Sequence, residues 1–281
     1  MQKAANQDMA ALWNGTSGQA WVDEQPLLDE MFRPFERLLS DEVARLGARS
    51  VLDIGCGAGS TTLAAARVLG PAGDAVGIDV SRLLVDAARA RADREGARAK
   101  FICADAQTHA FSPGTFDAMI SRFGVMFFED PVAAFANLRR AARAGGVLRA
   151  VAFRSIAENP FMTAAERAAA PVLPAPPPRQ PGAPGQFAFA DPEDVRRILD
   201  QAGWAGIELA AIDVECAFPE SALVRYFTRL GPVAQRLREA DEATRTQAIA
   251  RVLAGFQSYV QGAQVRFTAA CWMISAEARA G

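Results

Sequence analysis

Apolar positions along the chain follow two rhythms. Residues 1–47 read as helices, with Leu27, Leu28, Met31, Phe32 and Phe35 at helical spacing. From residue 50 onward, short strand-like runs alternate with helical stretches. Ser50-Val51-Leu52-Asp53-Ile54 predicts a first strand ending in a glycine-rich turn, and residues 61–69 a helix stopped by Gly70-Pro71. Residues 75–79 predict a second strand, and Ser81 can cap the helix over 82–94. Strands three and four follow at 100–103 and 116–121, and Pro131 opens a helix to residue 143. Gly145-Gly146 predicts a turn into a fifth strand at 147–153.

After Phe153 the alternation breaks. Residues 171–185 are rich in Pro and Gly and predict an extended loop or linker. The rhythm resumes with a helix from Asp191 to Gln201, ended by Gly203. Strands six and seven are expected at 207–216 and 265–274, with a helical insertion over 221–260 between them. No internal repeat is present. The pattern predicts an α/β fold: a seven-stranded, mostly parallel sheet with helices on both faces, plus a helical N-terminus and inserted helices as candidate lids.

Composition narrows the classes. With 281 residues, 51% hydrophobic and 22% charged, the chain is globular rather than disordered. A formal net charge of -2 lacks the basic excess of a protein that grips nucleic acid by its phosphates. Nearly all the positive charge is Arg, with Lys3 and Lys100 the sole lysines. The start, Met1 to Asn6, lacks the apolar core of a signal peptide, and no apolar run approaches the roughly 20 residues a membrane helix needs. Cys56, Cys103, Cys216 and Cys271 form no CxxC pair and suggest neither disulfides nor zinc, so a cytoplasmic setting is expected.

The chemistry gathers at Asp53-Ile54-Gly55-Cys56-Gly57-Ala58-Gly59-Ser60. Glycines there permit a tight turn and close approach of a ligand to the main chain. A dinucleotide fingerprint spaces them G-x-G-x-x-G, whereas here the third comes one residue early, at Gly59. A carboxylate at Asp53 would repel a pyrophosphate but attract the ammonium of S-adenosylmethionine, whose carboxylate suits free amides of the turn or helix N-terminus. Asp79 ends the second strand, 24 residues after Gly55, where an acid can accept both ribose hydroxyls. Asp105-Ala106-Gln107 follows the third strand, where a carboxylate can accept from an adenine amino group. Taken singly, each acid also fits a solvated turn or cap; together they line one sheet edge.

These residues resemble the class I S-adenosylmethionine-dependent methyltransferases of the ubiquinone/menaquinone-biosynthesis-like, small-molecule branch, with a Rossmann-like core. The resemblance covers about residues 45–155 and rests on 51–59, Gly77-Ile78-Asp79-Val80-Ser81, Asp105-Ala106 and residues 116–124. Residues 141–146 are similar to the family's turn into strand five, with Ala144 where proline is usual, and Trp13-Asn14-Gly15 with Trp21 also resembles bacterial members. It implies that Asp53, Gly55 and Gly57, with Cys56 and Ser60 beside them, hold the methionine end. It further implies Asp79 and Val80 at the ribose and adenine, Asp105 and Ala106 at the adenine edge, and Ser121 and Arg122 beside the methionine and methyl. Trp21 would close the pocket. The implied parts are a helical lid at 1–47, a cofactor-binding core at 48–155, a Pro-rich linker or lid at 156–190, and the rest of the sheet with its insertion at 191–281.

The expected reaction is in-line displacement of the methyl from S-adenosylmethionine, leaving S-adenosylhomocysteine, by an O, N or C nucleophile. A base is needed only if that nucleophile arrives protonated, and the sole histidine, His109, is the weak candidate. Glu129-Asp130 is read as a helix-start acid pair, with no metal expected. Strand four does not end in the Asn/Asp-Pro-Pro-aromatic motif of nucleic-acid amino methylation, and Phe123, Met126, Phe127 and Phe128 point to an apolar or aromatic small-molecule acceptor. Two other readings stay open: a catalytically inactive cofactor-binding sensor or partner, and a nicotinamide-dependent oxidoreductase. The helices at 221–260 suit a lid or a homodimer interface.

Overall fold

The computed structural model describes residues 6–175, 178, 180 and 182–279; four positions of the predicted Pro-rich linker, and the extreme termini, lie outside the described residues. In chain order the elements are α1 (Gln7–Asn14), α2 (Thr16–Asp23), α3 (Gln25–Leu46), β1 (Ser50–Ile54), α4 (Ser60–Leu69), β2 (Asp74–Asp79), α5 (Arg82–Glu95), β3 (Ala99–Cys103), β4 (Phe116–Arg122), α6 (Pro131–Ala141) and β5 (Ala142–Phe153). They continue as α7 (Ala164–Ala169), α8 (Pro192–Gln201), β6 (Ala205–Pro219), α9 (Leu223–Arg229), α10 (Gly231–Glu239), α11 (Glu242–Phe256), β7 (Val260–Gln261) and β8 (Gln264–Glu277). Among the described residues no helix is long and apolar enough to cross a membrane.

Local chemistry sets these boundaries. The Ser81 side chain accepts from the Leu84 amide to start α5, and Gly96 ends it in the left-handed region. Asp130 and Asp191 cap α6 and α8 in the same way, each followed by a proline in the first turn. The α3 stripe of Leu27, Leu28, Met31, Phe32, Phe35, Leu39 and Val43 is buried, and the Glu42–Arg149 ion pair at 3.0 Å ties α3 to β5. Apolar β1 residues Val51, Leu52 and Ile54 are all buried, as a strand covered on both faces requires.

The sheet runs β3-β2-β1-β4-β5-β8-β6, with β7 paired to β8. Pairs β1/β2, β2/β3, β1/β4 and β4/β5 are parallel, while β8 is antiparallel to β5 and β6. The order reverses at β1/β4, and ligands of open α/β sheets bind beyond the strand ends at such a point. The expected mostly parallel α/β sheet is found, with two corrections. An eighth strand, the two-residue β7, makes a hairpin with β8. Gly145-Gly146 is not a turn before strand five: β5 starts at Ala142 and runs through both glycines, with a register shift opposite Phe116 and Ala118. Gly145 has φ +76°, so the glycines serve a bulge. α6 correspondingly ends at Ala141, two residues short of the predicted helix.

Beyond β5 the inserted helices close on their own aromatic cluster. Phe161 stacks on Phe267 at 3.7 Å between ring centroids and touches Phe218, Tyr226, Phe256 and Tyr259.

Candidate active site

The turn after β1 is built for close approach. Gly55, Gly57 and Gly59 all have positive φ, at +66°, +54° and +85°. A Cβ on Gly55 would stand 2.7 Å from the Gly124 Cα, so the loop after β1 and the end of β4 touch backbone to backbone. Phe123, just before that contact, is itself held at φ +67°, a strained position for an aromatic residue.

Most amides of the turn are already engaged. Those of Gly55 and Cys56 donate to the Ile78 carbonyl at 2.9 and 3.1 Å, and that of Gly59 donates to Cys56 at 2.9 Å. The Gly57 amide donates to Asp79 Oδ2 at 2.9 Å. A pyrophosphate needs such amides free, and a carboxylate already occupies one of them. The sequence expectation located this repulsion at Asp53; the structure moves it to Asp79. Asp53 is 1% exposed and accepts from the Thr62 hydroxyl at 2.6 Å, behind the loop rather than on a cleft wall. Burial pushes its carboxyl up to about 6, against the opposing hydrogen bond from Thr62.

A first cleft of about 750 Å³ opens beyond β1, β2 and β3. Its walls include Gly55, Gly57, Asp79, Val80, Asp105 and Ala106. Asp79 also accepts from the Ser81 amide at 2.8 Å, and burial raises its carboxyl above the ordinary range despite these bonds. Asp105 Oδ1 takes the Gln107 amide at 2.9 Å and the Asn6 side-chain amide at 3.0 Å. Its Oδ2 is buried with no partner. A bare buried carboxylate oxygen costs free energy unless something donates to it.

A second cleft of about 480 Å³ lies against the first, walled by Gln25, Leu28, Asp29 and Phe32 of α3 and by residues 56–58, 60 and 61. Trp21, Gly55, Gly57, Arg122 and Phe123 line both clefts and mark the seam between them. Ser60, at the start of α4, is 2% exposed and its Oγ has no partner. Arg122 has its guanidinium over the Phe32 ring at 5.7 Å, and its Nη1 is buried and unpartnered.

Of the residues singled out from sequence, Trp21, Gly55, Cys56, Gly57, Ser60, Asp79, Val80, Asp105, Ala106, Arg122 and Phe123 come together on these walls. Three others, besides Asp53, do not. Ser121 is fully buried and donates to the Ile54 carbonyl at 2.7 Å, bracing β4 on β1. Met126 is 1% exposed, its sulfur accepting from the Phe153 amide. His109 packs edge-on against Phe111, and Asn137 holds its carbonyl at 2.9 Å. The Cys56 thiol, though on the wall of the second cleft, is pushed well above its ordinary value by burial.

Sequence reasoning missed the N-terminal contribution. Asn6, Met9 and Trp13 line the first cleft. Ser81 Oγ donates to the Trp13 carbonyl at 2.6 Å, and Asn14 bridges the Val80 carbonyl and the Arg82 amide at 3.1 and 2.8 Å. The Trp13-Asn14-Gly15 run was the available signal; nothing in it states where it docks.

Residues 51–146 match the family described as "Methyltransferase domain". Over this stretch the chain resembles the class I S-adenosylmethionine-dependent methyltransferases of the small-molecule branch. Its methyltransferase domain is 35% identical over 109 residues to the aklanonic acid methyltransferase DauC of Streptomyces sp. (strain C5), covering 38% of this chain and 50% of that protein. It is also 35% identical over 118 residues to nocamycin O-methyltransferase of Saccharothrix syringae, covering 42% of each. The chain thus spans half or less of the length of these curated relatives. Among solved structures, YcgJ of Bacillus subtilis has the same fold, with a TM-score of 0.56 at 18% identity over 86% of this chain and 98% of that one. So does the cyclase SpnF, with a TM-score of 0.54 at 22% identity over 94% of this chain and 96% of that one.

Proposed function

We propose that this protein transfers a methyl group from S-adenosylmethionine to a small, apolar or aromatic acceptor by in-line displacement. The observation that carries this reading is the pair of joined clefts with opposite orphaned groups at their ends. One end offers a bare carboxylate oxygen, Asp105 Oδ2, which suits an adenine amino group. The other offers a bare hydroxyl, Ser60 Oγ, at a helix N-terminus, which suits a carboxylate. Asp79, between them beside Val80, suits the ribose. The cofactor, when bound, supplies an electrophilic methyl on a sulfonium. The chain's own residues orient it and exclude water: Trp13 meets Trp21 and Phe127 edge to face on the wall of the first cleft.

In this reading residues 1–47 are the lid over the cofactor and 48–155 the core that holds it. The Pro-rich segment within 156–190 links that core to the remainder of the sheet, and the helices at 221–260 cover the acceptor side or a second copy of the chain. The names of the relatives, an acid methyltransferase and an O-methyltransferase, favour oxygen as the nucleophile. A nicotinamide reading is disfavoured by the engaged loop amides.

The test is a thermal shift with S-adenosylmethionine, S-adenosylhomocysteine and NAD in parallel, followed by transfer of labelled methyl to trial acceptors. Ligand at 100 times its dissociation constant is expected to add about 2.7 kcal/mol, a rise of about 5–10 °C. A rise with both adenosyl ligands but not NAD is the expected result. A rise with NAD alone rejects the reading. A protein that binds the adenosyl ligands yet moves no methyl group to any acceptor is a sensor or partner instead.

A further inference from the structure

With Asp53 turned behind the glycine loop, the ammonium of the cofactor has lost the acid that the family pattern offers it. Asp53 is closed on Thr62 at 2.6 Å and lines neither cleft. Among the described residues the second cleft carries one carboxylate on its walls, that of Asp29, early in α3. Its Oδ2 accepts from Arg91 Nη1 at 2.6 Å and from the Gln25 side-chain amide. Its Oδ1 receives no hydrogen bond and is not sealed from solvent. An ionised carboxylate accepts at both oxygens, so half of this one is open to a donor.

Donors without partners stand on the same walls. Ser60 Oγ and Arg122 Nη1 are both buried and unpartnered. Asp29 acts on the charge of Arg122, yet the two form no ion pair; the partner of Asp29 is Arg91. Opposite charges that share a cleft without closing on each other suit a ligand that carries both signs. An ammonium only donates, so it is drawn to Asp29 and repelled by Arg122, while a carboxylate is drawn to Arg122 and Ser60. Leu28, Phe32 and Phe123 complete the wall, and an apolar frame strengthens both pairings.

We propose that Asp29 binds the ammonium of the cofactor's amino-acid tail, opposite Ser60 and Arg122, which take its carboxylate. This rests on the methyltransferase reading above. The tail then bridges two parts of the chain: its ammonium lies on α3, within the lid at 1–47, and its carboxylate on the start of α4 and the end of β4, in the core. Loading the cofactor therefore fastens the lid to the core at this point, and a ligand without the amine cannot do so. Arg91 is a positioning residue here. It reaches from α5 to hold Asp29 by one oxygen and leaves the other free.

The experiment titrates the full chain calorimetrically with S-adenosylhomocysteine and three relatives of it. One has hydrogen in place of the amine, one has hydrogen in place of the carboxyl group, and 5′-methylthioadenosine lacks both. In the parent, which needs no variant, loss of the amine is expected to weaken binding about tenfold or more. Asp29→Asn should lower the affinity of the two amine-bearing ligands about 10- to 100-fold and leave the two without an amine within about threefold. Arg91→Met breaks the same ion pair from its other side and is expected to keep the parent's preference for the amine. A parent that binds S-adenosylhomocysteine but is indifferent to the amine would overturn the proposal alone. So would Asp29→Asn weakening all four ligands alike or none of them, or Arg91→Met reproducing its pattern, since each leaves Asp29 a structural role at most. The same pattern in Asp53→Asn instead would return the ammonium to the acid of the glycine loop. A parent that does not bind S-adenosylhomocysteine at all overturns the methyltransferase reading and this proposal with it.

Discussion

The half of the sheet made by β3, β2, β1 and β4 and the half made by β5, β8 and β6 differ in how their polar groups are left. In the first half, strand ends carry bare buried atoms that face clefts: Asp105 Oδ2, Ser60 Oγ and Arg122 Nη1. In the second half the bare atoms belong to Arg139, Arg196 and Arg236, each of which has another nitrogen in a hydrogen bond or ion pair. That half is closed by packing instead, around Phe161 and Phe267. The matched methyltransferase domain ends at residue 146, so the family likeness and the bare polar groups coincide. Bare groups that face a cleft belong to the first half, while the second half is closed by apolar packing.

Substitutions in the two halves should therefore separate stability from binding. The largest effect is expected at Phe161, which is 2% exposed. Phe161→Ala should cost about 3–5 kcal/mol in urea unfolding. The folded fraction should bind S-adenosylhomocysteine as the parent does; a matching loss of affinity would erase the distinction between the halves.

Asp53 comes next, because it sits in the binding half yet acts on stability. Its folded pKa, pushed up to about 6, exceeds the unfolded value of 3.8. The native state therefore binds the extra proton between these values, and stability from this group falls as pH rises through that window. The full difference amounts to about 3 kcal/mol. Asp53→Asn should gain on the parent between about pH 4 and 7, followed as the difference in unfolding free energy; a flat difference would mean that Asp53 ionises freely.

The smallest change in stability, with a clear change in binding, is expected at Asp105. Asparagine there must keep its oxygen toward the Gln107 amide and the Asn6 side chain, which turns its NH₂ into the cleft. Two donors would then face each other at the adenine amino group. Affinity for S-adenosylhomocysteine should fall about 10- to 100-fold while Tm moves by less than about 2 °C.

How much of this was legible follows the same division. Strands β1 to β4 announce themselves because short apolar runs end in glycine or aspartate, and Gly55, Gly57, Asp79 and Asp105 were readable as one ligand edge. The inward turn of Asp53 was not, since sequence gives no side-chain direction at a strand end and Thr62 lies nine residues on, in the first turn of α4. Gly145 and Gly146 read as a turn because a positive-φ bulge and a turn use glycine for the same reason. Met126 and Ser121 looked like site residues because polarity and position cannot reveal that each braces a neighbouring strand. The N-terminal walls depend on bonds between positions about a hundred residues apart, such as Asn6 with Asp105, and no local pattern encodes them.

The central claim is that one joined cleft reads S-adenosylmethionine from both ends. The most direct measurement is titration calorimetry of the parent protein with S-adenosylhomocysteine, 5′-methylthioadenosine and NAD. Loss of the amino-acid end should weaken 5′-methylthioadenosine by about tenfold or more relative to S-adenosylhomocysteine, with NAD weakest of the three. Equal affinity for the two adenosyl ligands, or NAD binding the tightest, would contradict the account.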